Sequence, residues 1–126
     1  MKAIASWLAD WAKEVSDYNQ NLIALGDFNI DKRGDLLDQT FLYEGFYVPD
    51  ELQNKKVTQS IFDETKYYDQ IAWFNGENRV PKLSMQFING GNYDFVGKVL
   101  QNRTLTKHQL SFHISDHYPL WAEFGL

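Results

Sequence analysis

The residues Leu22-Ile23-Ala24-Leu25 place the tightest limit on what this chain can fold into. They follow a polar break at 19–21 and stop at Gly26-Asp27-Phe28-Asn29. Four consecutive apolar residues bounded by polar and glycine punctuation predict a strand buried on both faces, with a loop at its C-terminal end. Such a strand needs sheet neighbours and covering layers.

The segment before it, from 1 to about 18, reads as one amphipathic helix. Ala3, Ile4, Trp7, Leu8, Trp11, Ala12 and Val15 recur at three- and four-residue steps, which puts them on one stripe. Asp10, Lys13, Glu14 and Asp17 fall on other faces. Two tryptophans on the stripe predict packing against a large partner surface, a sheet, rather than a ligand role. A second, weaker helix is expected from Gly34 to about Tyr43, with Gly45 as its C-terminal stop. Residues 55–60 are polar and read as a loop. The aromatic and β-favouring run 67–74 predicts a strand, closed by the turn Asn75-Gly76. Another strand is expected over 83–88, ended by Asn89-Gly90-Gly91, with one or two helical turns over 94–100. A last strand follows Tyr118-Pro119, where proline is tolerated near a strand's start. The order helix, strand, helix, several strands predicts an α/β layered domain.

Composition narrows the chemistry. With 126 residues and an aromatic fraction of 16%, the chain can bury a sizeable core as one domain. The absence of cysteine excludes disulfides, thiol nucleophiles and thiolate zinc sites. A formal net charge of −5 argues against strong nonspecific binding of nucleic acid and fits a carboxylate cluster that needs a cation. No apolar stretch approaches the ~18 residues of a membrane span, and no secretion signal is present. A cytoplasmic location is expected if Met1 is the natural start, and the compartment is otherwise open.

Three short segments can carry chemistry. Asp27 and Asn29 sit where the buried strand ends, a usual place for ligand sites in α/β sheets. A carboxylate and an amide there can orient a water and donate to a phosphoryl oxygen, although Gly, Asp and Asn are also ordinary turn residues. Asp116-His117 offers a hard oxygen ligand beside the side chain that titrates near neutral pH. Its bland alternative is a surface turn. Asp69 lies inside an apolar run, where an acid is costly to bury alone. A histidine partner would offset that cost, and so would a strand edge in water or a lysine. His108 and His113 read as solvated. Asn102-Arg103-Thr104 fits the glycosylation triplet but lacks a secretion signal to make it meaningful.

Taken in order, Leu25-Gly26-Asp27-Phe28-Asn29, Tyr68-Asp69-Gln70-Ile71 and Ser115-Asp116-His117-Tyr118-Pro119-Leu120 resemble the C-terminal motifs of the endonuclease/exonuclease/phosphatase superfamily, which includes DNase I-like nucleases, sphingomyelinases and inositol-polyphosphate 5-phosphatases. The resemblance runs from the first helix to Phe124. It implies that residues 1–126 form a single partial domain, the C-terminal half of a DNase I-like α/β sandwich with a mixed or antiparallel sheet and flanking helices. It further implies a metal-dependent phosphodiester hydrolase using Mg²⁺ or Mn²⁺. Asp27 would position or deprotonate the attacking water and lie near the metal, and Asn29 would bond the scissile phosphate. Asp69 would orient His117, His117 would contact a phosphate oxygen, and Asp116 would sit at the metal. The phrase ending in Leu120-Trp121-Ala122-Glu123-Phe124 looks most like bacterial DNase I-like hydrolases. DNA or RNA is therefore favoured as substrate over a phosphoinositide or sphingomyelin.

The family's N-terminal half supplies an Asn and the chief metal-binding Glu, and neither has a counterpart here. Glu14, Glu44, Glu51, Glu64 and Glu123 stand in the wrong contexts. A cloned fragment, a truncated gene and one half of a split protein are all consistent with this. The chain alone is expected to bind metal weakly, to hydrolyse little, and to expose apolar surface that drives homodimer formation. The rival reading is a non-catalytic interaction module that retains these residues.

Overall fold

In the computed structural model, residues 2–14, 21–76 and 82–126 are described. The apolar run forms β1 (Ile23–Asp27), which pairs antiparallel along its whole length with β3 (Asp69–Phe74). Ile23 lies opposite Trp73 and Asp27 opposite Asp69. The short β2 (Phe46–Tyr47) joins the other edge of β3 at Phe74 and Trp73, giving the order β1-β3-β2. A second sheet consists of β4 (Gln86–Asn92) and β5 (Leu120–Gly125), also antiparallel. The fold class is therefore α/β in content, and every pairing among the described residues is antiparallel.

β1 departs from the two-faced burial expected of it. Ala24 is buried against the core, but Leu25 is 72% exposed. Continuous apolar sequence had suggested cover on both sides; only one side has it. The first helix, α1 (Lys2–Glu14), shows the same pattern. It reaches the core through Ala9 and, partly, Leu8, while Ser6 Oγ donates to Glu44 Oε1 (2.8 Å). Trp7 and Trp11 stack on each other at 5.9 Å and remain exposed, as does Ile4. The expected packing of both tryptophans on a sheet is thus absent. The part of the helix expected over 15–18 lies outside the described residues.

The main core is built from aromatic rings stacked in a chain. Phe28 meets Phe41 at 4.9 Å, Phe41 meets Phe46 at 4.5 Å, and Phe46 meets Phe74 at 4.4 Å. These rings join β1's exit, α2 (Leu36–Tyr43), β2 and β3. α2 begins two residues later than expected because Asp35 caps it, accepting from Asp38 N–H (2.8 Å). Gly45, at φ +92°, ends it as the sequence predicted. Trp73 ties the two sheets together, touching Phe87 of β4 at 5.4 Å and Phe124 of β5 at 5.1 Å.

Two further elements differ from the sequence reading. β4 runs straight through Asn89-Gly90-Gly91 instead of ending there. A Cβ on Gly90 would lie 3.0 Å from Leu52 Cδ2 and 3.0 Å from the Trp121 carbonyl oxygen. The glycine therefore marks close approach of α3 (Asp50–Gln53) and β5, not a turn. Residues 94–100 form turns without a helix, whereas α4 (Lys107–His113) was not anticipated. Its N-terminus carries a capping box, Thr106 with Gln109, which is readable in the sequence. α4 closes a satellite core of Ile61, Phe95 and Leu110. Among the described residues, no helix is long and apolar enough to cross a membrane.

Candidate active site

The antiparallel register of β1 and β3 puts Asp27 directly across from Asp69. One position further on, Phe28 N–H donates to Tyr68 O (2.7 Å). The Asp69 N–H does not bond β1; it donates to Gln59 Oε1. Asp27 and Asp69 therefore form the kind of cross-strand pair whose side chains approach most closely. Two carboxylates opposed in this way repel each other, and a positive or proton-donating group between them lowers that cost.

His117 supplies one. Its Nδ1 lies 2.7 Å from Asp69 Oδ2. An ionised carboxylate only accepts, so Nδ1 carries the proton and Nε2 is left for other work. The imidazole is held by two contacts and its backbone by a third. Asp69 takes Nδ1, Tyr68 stacks on the ring at 5.5 Å with planes 21° apart, and the His117 main-chain N–H donates to Ser115 Oγ (2.9 Å). Both side chains of the pair are about one-quarter exposed, so the site is partly shielded and still reachable.

The segment carrying His117 is fixed by a short ladder with residues 59–61. Tyr118 N–H donates to Gln59 O (2.6 Å), Ile61 N–H donates to Asp116 O (3.0 Å), and Ser60 bridges His117. On the other side, the loop after β1 is zipped to the approach of β3. Tyr67 N–H donates to Ile30 O (3.2 Å), and Lys66 Nζ pairs with Asp31 Oδ1 (2.5 Å). The hydrogen bond to Asp31 raises the Lys66 pKa above its usual value. The Lys66 ammonium also sits 5.9 Å from the Tyr68 ring.

Asp27, Asp69 and His117 thus converge, each offering a ligand atom within 4.8 Å of the others. The remaining two sequence candidates behave differently. Asn29 is exposed at φ +54°, and its N–H donates to Asp27 Oδ1 (2.8 Å), which folds the loop back on the carboxylate. Asp116 is exposed, is engaged through its main-chain carbonyl, and does not belong to the trio. His108 and His113 are exposed on α4, as their sequence context suggested. Three contributions escaped the sequence reading: that of Gln59, the stacking of the motif residue Tyr68 on His117, and the Asp31–Lys66 pair. Their partners are distant along the chain or depend on ring orientation, and no local pattern signals either.

Two carboxylates and one imidazole suit a hard divalent cation only in part. Mg²⁺ is commonly held by one or two carboxylates, with waters and substrate phosphate completing its shell. Asp27, exposed and opposite Asp69, fits that requirement; Asp69 is already engaged by His117. The site opens onto a groove of about 540 Å³ lined by Leu25, Ile71, Asp69, His117, Trp121 and Phe124 among others. Neither the family models, the curated proteins nor the solved structures compared with this chain give a match.

Proposed function

We propose that this chain carries the water-positioning and phosphate-binding side of a metal-dependent phosphodiester hydrolase, on the C-terminal half of a DNase I-like α/β sandwich. The observation that supports it most is the Asp69–His117 hydrogen bond at 2.7 Å beside Asp27. Those three residues come from three separate motifs, in the order the superfamily uses.

In this reading Asp69 holds the His117 ring and its tautomer, so that Nε2 faces a phosphoryl oxygen and stabilises charge as it builds. Asp27 aligns the attacking water, with its orientation set by the Asn29 N–H. Asn29 bonds the phosphate from the same loop. Asp27 is the carboxylate best placed to hold Mg²⁺ or Mn²⁺, with Asp116 at the periphery. A bound ion would supply Lewis-acid polarisation of the phosphoryl oxygen. Positioning and electrostatics carry most of the rate. The favoured substrate is a DNA or RNA phosphodiester.

Two measurements test this. Mn²⁺ added to the ¹⁵N-labelled chain is expected to broaden the resonances of Asp27, Asp69 and His117 first. Slow Mn²⁺-dependent nicking of supercoiled plasmid is expected, and it should fall about 10²–10³-fold in His117→Ala and Asp69→Asn. Broadening confined to other surfaces, together with nicking indifferent to both substitutions, would sink the proposal. The second reading, a non-catalytic interaction module, draws on the uncovered faces of α1 and β1. It expects a folded chain with neither metal response nor nicking.

A further inference from the structure

Gln59 is a fully buried polar residue beside the candidate site, at 0% exposure, and it bonds Asp69 directly. Its surroundings explain only half of its amide. Oε1 accepts the Asp69 N–H, while Nε2 is buried without a hydrogen-bond partner among the described residues. Burying an amide with one end unsatisfied is unfavourable compared with an apolar side chain of the same size. Packing alone would therefore favour leucine or methionine here, and the amide needs another reason.

The geometry supplies one. β2 reaches β3 only at Trp73 and Phe74, so among the described residues the start of β3 has no strand on that side. The Gln59 side chain stands in for the missing strand and takes the Asp69 N–H. At the same time, the Gln59 main-chain carbonyl accepts from Tyr118 N–H (2.6 Å), the residue after His117. Ser60, the next residue, bridges His117 itself. Thr58, the one before, accepts at its carbonyl from Asn92 Nδ2 (2.6 Å), anchoring the segment to β4. One residue therefore grips the backbone of Asp69 through its side chain and that of Tyr118, the neighbour of His117, through its main chain.

We infer that Gln59 is a positioning residue that sets the Asp69 carboxylate against the His117 imidazole, a role that matters for chemistry only if the hydrolase reading holds. The side-chain link is the one that can be altered without cutting the 59–61 ladder. Gln59→Met removes the acceptor at similar length and volume. Gln59→Glu keeps an oxygen at the same reach.

The test is made by NMR on the full chain. In the wild type, a scalar coupling across the hydrogen bond is expected between the Asp69 amide nitrogen and the Gln59 side-chain carbonyl carbon. A low-field proton resonance is expected from His117 Nδ1–H. In Gln59→Met the Asp69 amide should move upfield and the His117 low-field signal should be lost, while the Trp73 and Phe124 resonances stay in place. Gln59→Glu should retain the signal. A residue that only fills space would lower the melting temperature and leave the His117 resonance where it was. Absence of the coupling in the wild type overturns the inference, whether or not either variant folds. So does a folded Gln59→Met protein with an unchanged His117 signal. If the coupling and the loss are seen but no phosphodiester is ever cleaved, the positioning role stands and the hydrolase reading fails.

Discussion

Asp35 shows how much a single carboxylate does in the loop that presents Asn29 and leads into α2. It accepts from the N–H groups of Asp31 (3.1 Å), Lys32 (3.2 Å) and Asp38 (2.8 Å). Slight burial pushes its pKa up, the backbone N–H groups pull it down, and the net shift is downward from 3.8. A depressed folded pKa means that the unfolded chain takes up the proton first. The stabilisation is then complete above the unfolded value and is lost as pH falls through the lower folded value. Asp35→Ala is expected to cost about 1 kcal/mol near neutral pH, the usual worth of an N-cap. The gap between variant and wild type should close well below pH 3.8, as urea unfolding at the two conditions would show. A gap that persists in acid would mean the cap does not act through its charge. Next to it, buried Asp38 holds Arg33 Nη1 (2.9 Å) and the Gly34 N–H (2.8 Å), so two acids with different partners shape one loop.

At the scale of elements, β4 depends on a glycine that looks like a turn signal. Gly90 sits in the strand because Leu52 of α3 and the Trp121 carbonyl press against it. Gly90→Ala forces those neighbours apart and should destabilise by about 1–3 kcal/mol, the range for overpacking a tight contact. Thermal unfolding measures it, and a neutral result would show that α3 shifts freely. β1 and β3 behave otherwise. Their pairing is long and regular, and it brings Asp27 opposite Asp69 with no further requirement. The short β2 and the side chain of Gln59 share the far edge of β3 between them.

For the molecule as a whole, the uncovered apolar surface is the main physical fact. Leu25 is 72% exposed, and Trp7 and Trp121 are exposed in the same sense. β1 and β5 each lack a second neighbour among the described residues, and the groove between them is largely apolar. Surfaces of this kind drive association. The chain is expected to self-associate in sedimentation experiments and to enhance the fluorescence of a dye for exposed apolar surface. Leu25→Glu should weaken both while leaving the helical signal unchanged. A dilute monomer with no dye response would show that this face is content in water. The aromatic join between the two sheets is made by Trp73, Phe87 and Phe124.

Local pattern determined the pieces. The positions of β1, α2 and β3, the glycine stop at Gly45 and the polar residues at strand ends all follow from chain stiffness, apolar runs and turn chemistry, which act over a few residues. Even α4 was readable through Thr106 and Gln109. The sequence also named Asp69 and His117 as partners, because a lone acid in an apolar strand needs one and the resemblance supplied a candidate. Tertiary structure alone decided the rest. Whether Leu25, Trp7 and Trp11 are covered depends on which other surfaces exist to cover them, and composition cannot count neighbours. That Gly90 is a contact and not a turn depends on Leu52 and Trp121, both far along the chain. Gln59 reads as one polar residue in a polar loop until Asp69, ten residues on, and Tyr118, beyond that again, close around it. Burial and hydrogen bonding between distant segments are set by how the layers meet, and that information lies in no single stretch of sequence.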